Sequence, residues 1–209
     1  MSEKELTSIN QLPSTSGEVN RLFPVFIKLE QLKVLIVGGG YVGNEKLEAI
    51  LNNSPQTVIT IVAISISEQI QQLVAGYPGV TLLQKAYEKN DMADADIVFA
   101  ALNDAAVSAQ VSADARQAGK LVNVADKPAL CDFYLSSVVQ KGNLKIAIST
   151  NGKSPTVAKR VKELLNDALP EELDELLDHM QQIRNRLTGD FTDKVKQLND
   201  ITKILSADK

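Results

Sequence analysis

Five short apolar runs punctuate the first two thirds of the chain: residues 32–37 (LKVLIV), 58–64 (VITIVAI), 80–84 (VTLLQ), 96–102 (DIVFAAL) and 121–125 (LVNVA). They are rich in β-branched residues and do not alternate with polar ones, as expected of strands buried on both faces of a parallel sheet. Between them the apolar positions recur at helical spacing. Val42, Leu47, Ile50 and Leu51 share one face, and Val107, Val111 and Ala115 another. This βαβα order predicts an α/β domain built on a doubly wound parallel sheet. After Pro128 the pattern changes. Residues 134–150 read as two strands around the turn Lys141-Gly142-Asn143. Ser154 then suits a helix N-cap with Pro155 as the first helical residue. A helix is predicted over 155–168, Pro170 interrupts it, and 171–206 is helical and charge-rich, with Leu173, Leu176, Leu177 and Met180 as an apolar stripe.

Composition narrows the chemistry. The 209 residues carry 22 Lys+Arg against 26 Asp+Glu, a net charge of -4, so general nucleic-acid binding is not expected and any anion site must be local. One Cys forms no internal disulfide, one His supplies no multi-His cage, and no resident metal is expected. No apolar run approaches the ~18–20 residues of a membrane helix. The polar, acid-containing start lacks the order of a signal peptide, so a flexible tail over 1–20 and a cytoplasmic location are expected.

The first strand runs into G-x-G-x-x-G at Gly38, Gly40 and Gly43, with Gly39, Tyr41 and Val42 between them, and a helix opens at Tyr41. In such a loop the first glycine permits the tight turn, the second lets backbone approach a pyrophosphate, and the third lets helix and strand pack closely. The helix N-terminus then offers free N–H groups and a positive dipole end to phosphate. This makes the domain Rossmann-like and dinucleotide-binding. The second strand ends in Ile64 and Ser65, with no acid before Glu68 and no Arg for a 2′-phosphate; Ser65 can bond a ribose hydroxyl, and NAD is favoured over NADP. The expected organisation is a tail (1–20), an NAD-binding domain (21–134), a hairpin-plus-helix dimerisation segment (135–168) and a helical C-terminal domain (169–209). The last two are too small to build a core alone, so burial against a second copy, as a homodimer, is expected.

No Tyr has a Lys four residues later, which removes the Tyr-x-x-x-Lys dehydrogenase arrangement. What stands out is Asp126, just past the carboxyl end of the fifth strand, where open α/β sheets bind ligands. It fits a general base or cation ligand as well as a plain turn cap before Pro128. A polar loop, Ser149-Thr150-Asn151-Gly152-Lys153-Ser154-Pro155, leads into a helix bearing Lys159, Arg160 and Lys162, a candidate site for a polycarboxylate in an acidic chain or simply a solvated face. His179 reads as a surface or packing residue and Cys131 as a buried, inert thiol.

Four ordered blocks resemble the precorrin-2 dehydrogenase family of siroheme synthesis, which includes the dehydrogenase and ferrochelatase part of siroheme synthases. They are Leu22-Phe23-Pro24-Val25-Phe26 with residues 34–40, Val42 and Lys46; Phe99-Ala100-Ala101-Leu102-Asn103-Asp104; residues 121–126 with Cys131-Asp132-Phe133; and Ile146-Ala147-Ile148-Ser149-Thr150 with Gly152, Ser154, Pro155 and Ala158. The resemblance spans about residues 21–170. It implies NAD-dependent oxidation of precorrin-2 to sirohydrochlorin by an entwined homodimer. It maps the family's essential aspartate onto Asp126, and nucleotide contacts onto loop 38–42, Ile64, Ser65, Asn103 and Asp104. The carboxylates of the tetrapyrrole need cations, for which Lys46, Lys153, Lys159 and Arg160 are candidates beside Ser149, Thr150 and Ser154. Some members also insert Fe²⁺ as a substrate; these residues leave that open. Ile64, Ser136, Glu45 and Leu102 depart from the family's common residues. A fused methyltransferase domain is not expected at this length. A non-catalytic NAD-sensing module and a reductase for another polycarboxylate are the rival readings.

Overall fold

The computed structural model describes residues 19–171, 173–187 and 191–202. Most of the expected tail and parts of the C-terminal helical stretch therefore lie outside the described residues. The chain divides into two compact units, Phe23–Leu135 and a second formed by Ser136–Lys209 together with Met1–Leu22.

The first unit contains β1 (Lys33–Gly39), α1 (Tyr41–Asn53), β2 (Val58–Ile66), α2 (Glu68–Val74), β3 (Val80–Gln84), β4 (Ile97–Ala100), α3 (Ala105–Gln117) and β5 (Leu121–Val124). The sheet order is β3-β2-β1-β4-β5, and every pairing is parallel. All five apolar runs are strands, and the doubly wound sheet is present. Pleating sends alternate residues to opposite layers. Val34, Ile36, Ile59, Ile61 and Phe99 pack with Leu47, Ile50 and Leu51 of α1 and Ile70 of α2. Leu35, Val37, Val62, Val98 and Val122 pack with Val111 and Ala115 of α3 and with Met92. Fully burying each large aliphatic side chain is worth about 1.5–3 kcal/mol, which makes these two layers the main source of stability.

Two departures from the expected pattern have physical causes. β3 is an edge strand, so Thr81, Leu83 and Gln84 are exposed although the run is apolar. The β3–β4 connection carries only a 3₁₀ turn, Lys89–Met92, because residues 85–96 are rich in acids and lack a helical apolar period. That turn is fixed by a reciprocal cap: the Asp91 carboxylate accepts the Glu88 N–H at 2.9 Å. Beside it the Tyr87 hydroxyl donates to Asp114 Oδ2 at 3.0 Å, and Gln110 donates to Asp114 Oδ1 at 2.9 Å, which satisfies an almost fully buried carboxylate.

In the second unit β6 (Ser137–Lys141) and β7 (Leu144–Ile148) form an antiparallel hairpin closed by Gly142 and Asn143. Gly142 has φ 54°, the positive first position that a tight two-residue loop demands. Three helices follow: α4 (Pro155–Ala168), α5 (Leu173–Arg186) and α6 (Phe191–Thr202). Ser154 caps α4 as expected, accepting the Val157 N–H at 3.2 Å. α4 packs on β6 and buries Ala158, but Val157, Val161 and Leu164 stay exposed along its other side. The start of α5 is pinned to the hairpin loop. Asp174 Oδ1 accepts from the Asn143 backbone at 2.6 Å and from its side-chain amide at 2.8 Å, and Lys141 pairs with Glu171. Among the described residues no helix is long and apolar enough to cross a membrane.

Candidate active site

The glycine loop shapes a cleft of about 500 Å³ at the carboxyl edge of the sheet. The three glycines of the G-x-G-x-x-G motif sit in different surroundings. Gly38 sits at φ 122°, and a Cβ there would stand 2.1 Å from the Ala101 carbonyl oxygen. A Cβ on Gly43 would stand 2.2 Å from the Gly38 carbonyl oxygen, so strand and helix touch backbone to backbone. A Cβ on Gly40 would meet nothing within 4 Å. The backbone at Gly40 thus faces open space at the head of α1, whose N-terminus has no side-chain cap, whereas α2, α3 and α4 are capped by Ser67, Asp104 and Ser154. Free N–H groups beside an open backbone cradle are what a pyrophosphate needs, so the residues present fit a dinucleotide.

The rest of the cleft follows from a slip in the sheet. Val37 pairs with Val62 but Gly39 with Ile66, so two steps of β1 face four of β2. The exposed Ile64 and Ser65 fall in that surplus and line the cleft. The sequence-derived contacts Gly38, Gly39, Gly40, Tyr41, Val42, Ile64, Ser65 and Asn103 are all brought together here. Gly43 lies behind them as the packing contact. Asp104 is adjacent but its carboxylate is committed to α3, accepting from Ala106 N at 2.8 Å and Val107 N at 3.0 Å. Ala63, Ala101 and Leu102 complete the lining. Ala101 and Leu102 belong to a block that carries the family resemblance, but neither they nor Ala63 is assigned a cofactor contact from sequence, because all three lie in apolar runs that read as strand. A second hollow, of about 600 Å³, lies beside the Lys89–Met92 turn and the end of α3, but Asp114 and Lys89 are already bonded to Gln110, Tyr87 and Gln117.

Asp126 follows β5 at the same edge of the sheet. The last ladder pair is Ala100 with Val124, and Ala125 N–H donates to the Ala100 carbonyl at 2.9 Å. Asp126 is exposed and has φ 57°, a left-handed conformation that Asp tolerates better than most residues. The turn around it is laced shut. Cys131 Sγ accepts the Val124 N–H at 3.2 Å and lies 3.1 Å from the Val124 oxygen and 3.4 Å from the Lys127 oxygen. Asp132 Oδ2 accepts the Val122 N–H at 3.0 Å, its Oδ1 accepts from Arg116, and the Asn123 amide donates to the Phe133 oxygen at 2.8 Å. Cys131 is therefore half-buried and hydrogen-bonded, where sequence suggested a buried, inert thiol. Sequence reading also passed over Lys127, whose ammonium nitrogen is enclosed with no hydrogen-bond partner.

The residues expected to hold substrate divide between the units. Lys46 is half-buried on α1. In the second unit the loop before α4 is held by its own side chains. Thr150 Oγ1 donates to the Ser154 carbonyl at 3.1 Å, Ser149 Oγ accepts the Asn151 N–H at 3.2 Å, and Asn151 has φ 55°. Lys153 and Lys159 are exposed, and Arg160 pairs with Glu163 at 2.7 Å. His179 is exposed, as expected. Among the described residues no three His, Cys, Asp or Glu side chains converge as a metal site would require.

The family model described as "Putative NAD(P)-binding" matches residues 25–137, more than half of the chain. The chain belongs to this NAD(P)-binding family. A second model, "Sirohaem biosynthesis protein central", matches residues 141–168, the hairpin end and α4. The siroheme synthase of Psychrobacter cryohalolentis is 36% identical over 83% of this chain and 31% of its own length. That of Nitrosomonas europaea is 31% identical over 80% and 35%, and that of Pseudoalteromonas atlantica 30% over 89% and 40%. The chain thus spans about a third of the length of these relatives. Among solved structures, "SirC, precorrin-2 dehydrogenase" superposes with a TM-score of 0.69 at 26% identity, covering 86% of this chain and 89% of that one.

Proposed function

We propose that the chain catalyses the NAD-dependent oxidation of precorrin-2 to sirohydrochlorin in siroheme biosynthesis, as a cytoplasmic homodimer. The observation that carries this reading is the pairing of a dinucleotide cradle at Gly40 and the α1 N-terminus with a free carboxylate, Asp126, at the same sheet edge. Similarity to siroheme synthases and to a precorrin-2 dehydrogenase supports the substrate.

NAD, when bound in the cleft, supplies a hydride acceptor. The oxidation removes two hydrogens from the macrocycle, one as hydride and one as a proton. Asp126 is the proton acceptor in this reading: it is exposed, pre-set by its turn, and worth on the order of 10²–10⁴-fold as a positioned base. Loop 38–42, with Ile64, Ser65 and Asn103, holds and orients the dinucleotide, and Asp104 shapes that wall by capping α3. The residues proposed for the carboxylates of the tetrapyrrole are Lys46, Ser149, Thr150, Lys153, Ser154, Lys159 and Arg160, each to be tested on its own. The exposed Val157, Val161 and Leu164 stripe on α4 supports burial against a second copy. Where Fe²⁺ is a second substrate, the macrocycle nitrogens replace its water and Asp126 accepts pyrrole protons.

Anaerobic incubation with precorrin-2 and NAD, followed optically with and without Fe²⁺, tests the whole. Sirohydrochlorin is expected. If none forms, the reading fails; if it forms but never becomes siroheme, only the iron step fails.

A further inference from the structure

The two nicotinamide dinucleotides differ by one phosphate on the adenosine ribose, and a site that accepts this dianion presents a cation to it. In open parallel sheets with this glycine loop, that ribose lies at the end of the second strand. Here the place is marked by Ile64 and Ser65, exposed in the cleft. Residues 57–84, which carry β2, α2 and β3, contain no Lys, Arg or His. The first cation after them is Lys85. Ala63 pairs with Gln84 in the last rung of the β2–β3 ladder, so Ile64, still within β2, and Lys85, the first residue past β3, follow neighbouring positions at the carboxyl edge.

Lys85 is not available as a lone cation. Its ammonium lies 2.7 Å from Asp91 Oδ1 and 3.1 Å from Glu88 Oε2. The Asp91 hydrogen bond, followed by that of Glu88, raises its pKa above the usual value, so it stays charged. Asp91 is well anchored: its side chain is only 9% exposed and its second oxygen takes the Glu88 N–H. One cation between two carboxylates gives a trio with a net charge of about -1, which repels a phosphate.

We infer that Lys85, held and over-neutralised by Asp91 and Glu88, is the element that sets cofactor choice and turns the cleft against the 2′-phosphate of NADP. The inference rests on the reading that the glycine cleft holds a dinucleotide, and it adds the residues that choose between the two forms.

The test uses the full chain and reads Kd by NADH and NADPH fluorescence at two salt concentrations. The wild type is expected to favour NADH by at least about tenfold. The variant Glu88→Gln/Asp91→Asn is expected to shift the NADPH:NADH ratio about tenfold toward NADPH, more strongly at low salt, and adding Lys85→Ala is expected to reverse the shift. Asn at 91 keeps an oxygen for the Glu88 N–H. Should the double variant still fold poorly, Glu88→Gln alone, at an exposed side chain, is expected to give about a threefold shift. An unaltered ratio, or a shift that survives Lys85→Ala, overturns the inference while leaving the cleft reading intact. A wild type that binds neither nucleotide overturns both.

Discussion

Gly40→Ala should leave the fold intact and weaken dinucleotide binding, while Gly43→Ala, three residues on, should damage the fold first. Gly40 has φ -92° and ψ -161°, which any L-residue adopts, and its added Cβ meets nothing within 4 Å. Restricting the unfolded chain gains roughly 0.4–1 kcal/mol, and Ala is a poorer N-cap than Gly by a comparable amount, so the net change stays within about 1 kcal/mol. The new methyl group nonetheless stands where the backbone would meet phosphate. Losing one charge-assisted hydrogen bond there, at about 1.5–3 kcal/mol, weakens Kd about 10–150-fold. At Gly43 the methyl would lie 2.2 Å from the Gly38 oxygen and 3.0 Å from its carbon, both backbone atoms that cannot turn aside. Overpacking of this kind costs about 2–3 kcal/mol, or roughly 4–12 °C in Tm at this chain length. Thermal melts paired with NADH fluorescence titration separate the two. The reasoning is refuted if Gly40→Ala binds NADH like the wild type, or if it melts as early as Gly43→Ala.

Asp126→Asn and Asp126→Gly both suit a left-handed residue, so each should fold normally and bind NADH while turnover falls about 10²-fold or more; steady-state kinetics with unchanged turnover would remove Asp126 from the chemistry. Cys131→Ala, which releases the thiol contacts to Val124 and Lys127, should cost about 1–2 kcal/mol in urea denaturation and lower kcat more than it alters KM, with Cys131→Ser recovering most of both. Tyr87→Phe should cost a similar amount at pH 7, because Asp114 Oδ2 loses its donor in a buried site. Burial first, and then Asp114, raises the pKa of the Tyr87 hydroxyl, while in the unfolded chain it ionises near the ordinary tyrosine value of about 10. Its contribution is therefore complete below about pH 10 and shrinks as the pH climbs further, so melts above pH 10 should show the wild type converging on the variant.

The parallel sheet was legible because its runs are buried on both faces, and the pattern of residues 32–37 or 121–125 admits little else. β3 shows where that logic weakens: five apolar-leaning residues read the same whether the strand is central or at an edge, since edge position is set by topology and not by local pattern. The glycine loop was legible because Gly38 and Gly43 answer steric demands of the backbone, while Gly40 leaves open the space that a phosphate would take. The Lys85, Glu88 and Asp91 trio was not, because acids and lysines in a loop look like solvated charge until the 3₁₀ turn draws them together. Thr150 and Ser154 were legible as a polar loop, but that they bond to each other and to the α4 N-terminus depends on the turn at Asn151, which composition does not dictate.

Asp132 has a consequence for the sheet as a whole. β5 is the outermost strand on its side, and an open strand edge is a template on which another chain can grow. Instead, the Val122 N–H meets the Asp132 carboxylate, the Val122 oxygen takes the Asp132 N–H at 2.8 Å, and the Arg116 guanidinium braces that same carboxylate. The segment after the Asp126 turn thus acts as a plug on the growing edge. Its loss would expose a sticky border, and self-association that grows with protein concentration would accompany the fall in stability.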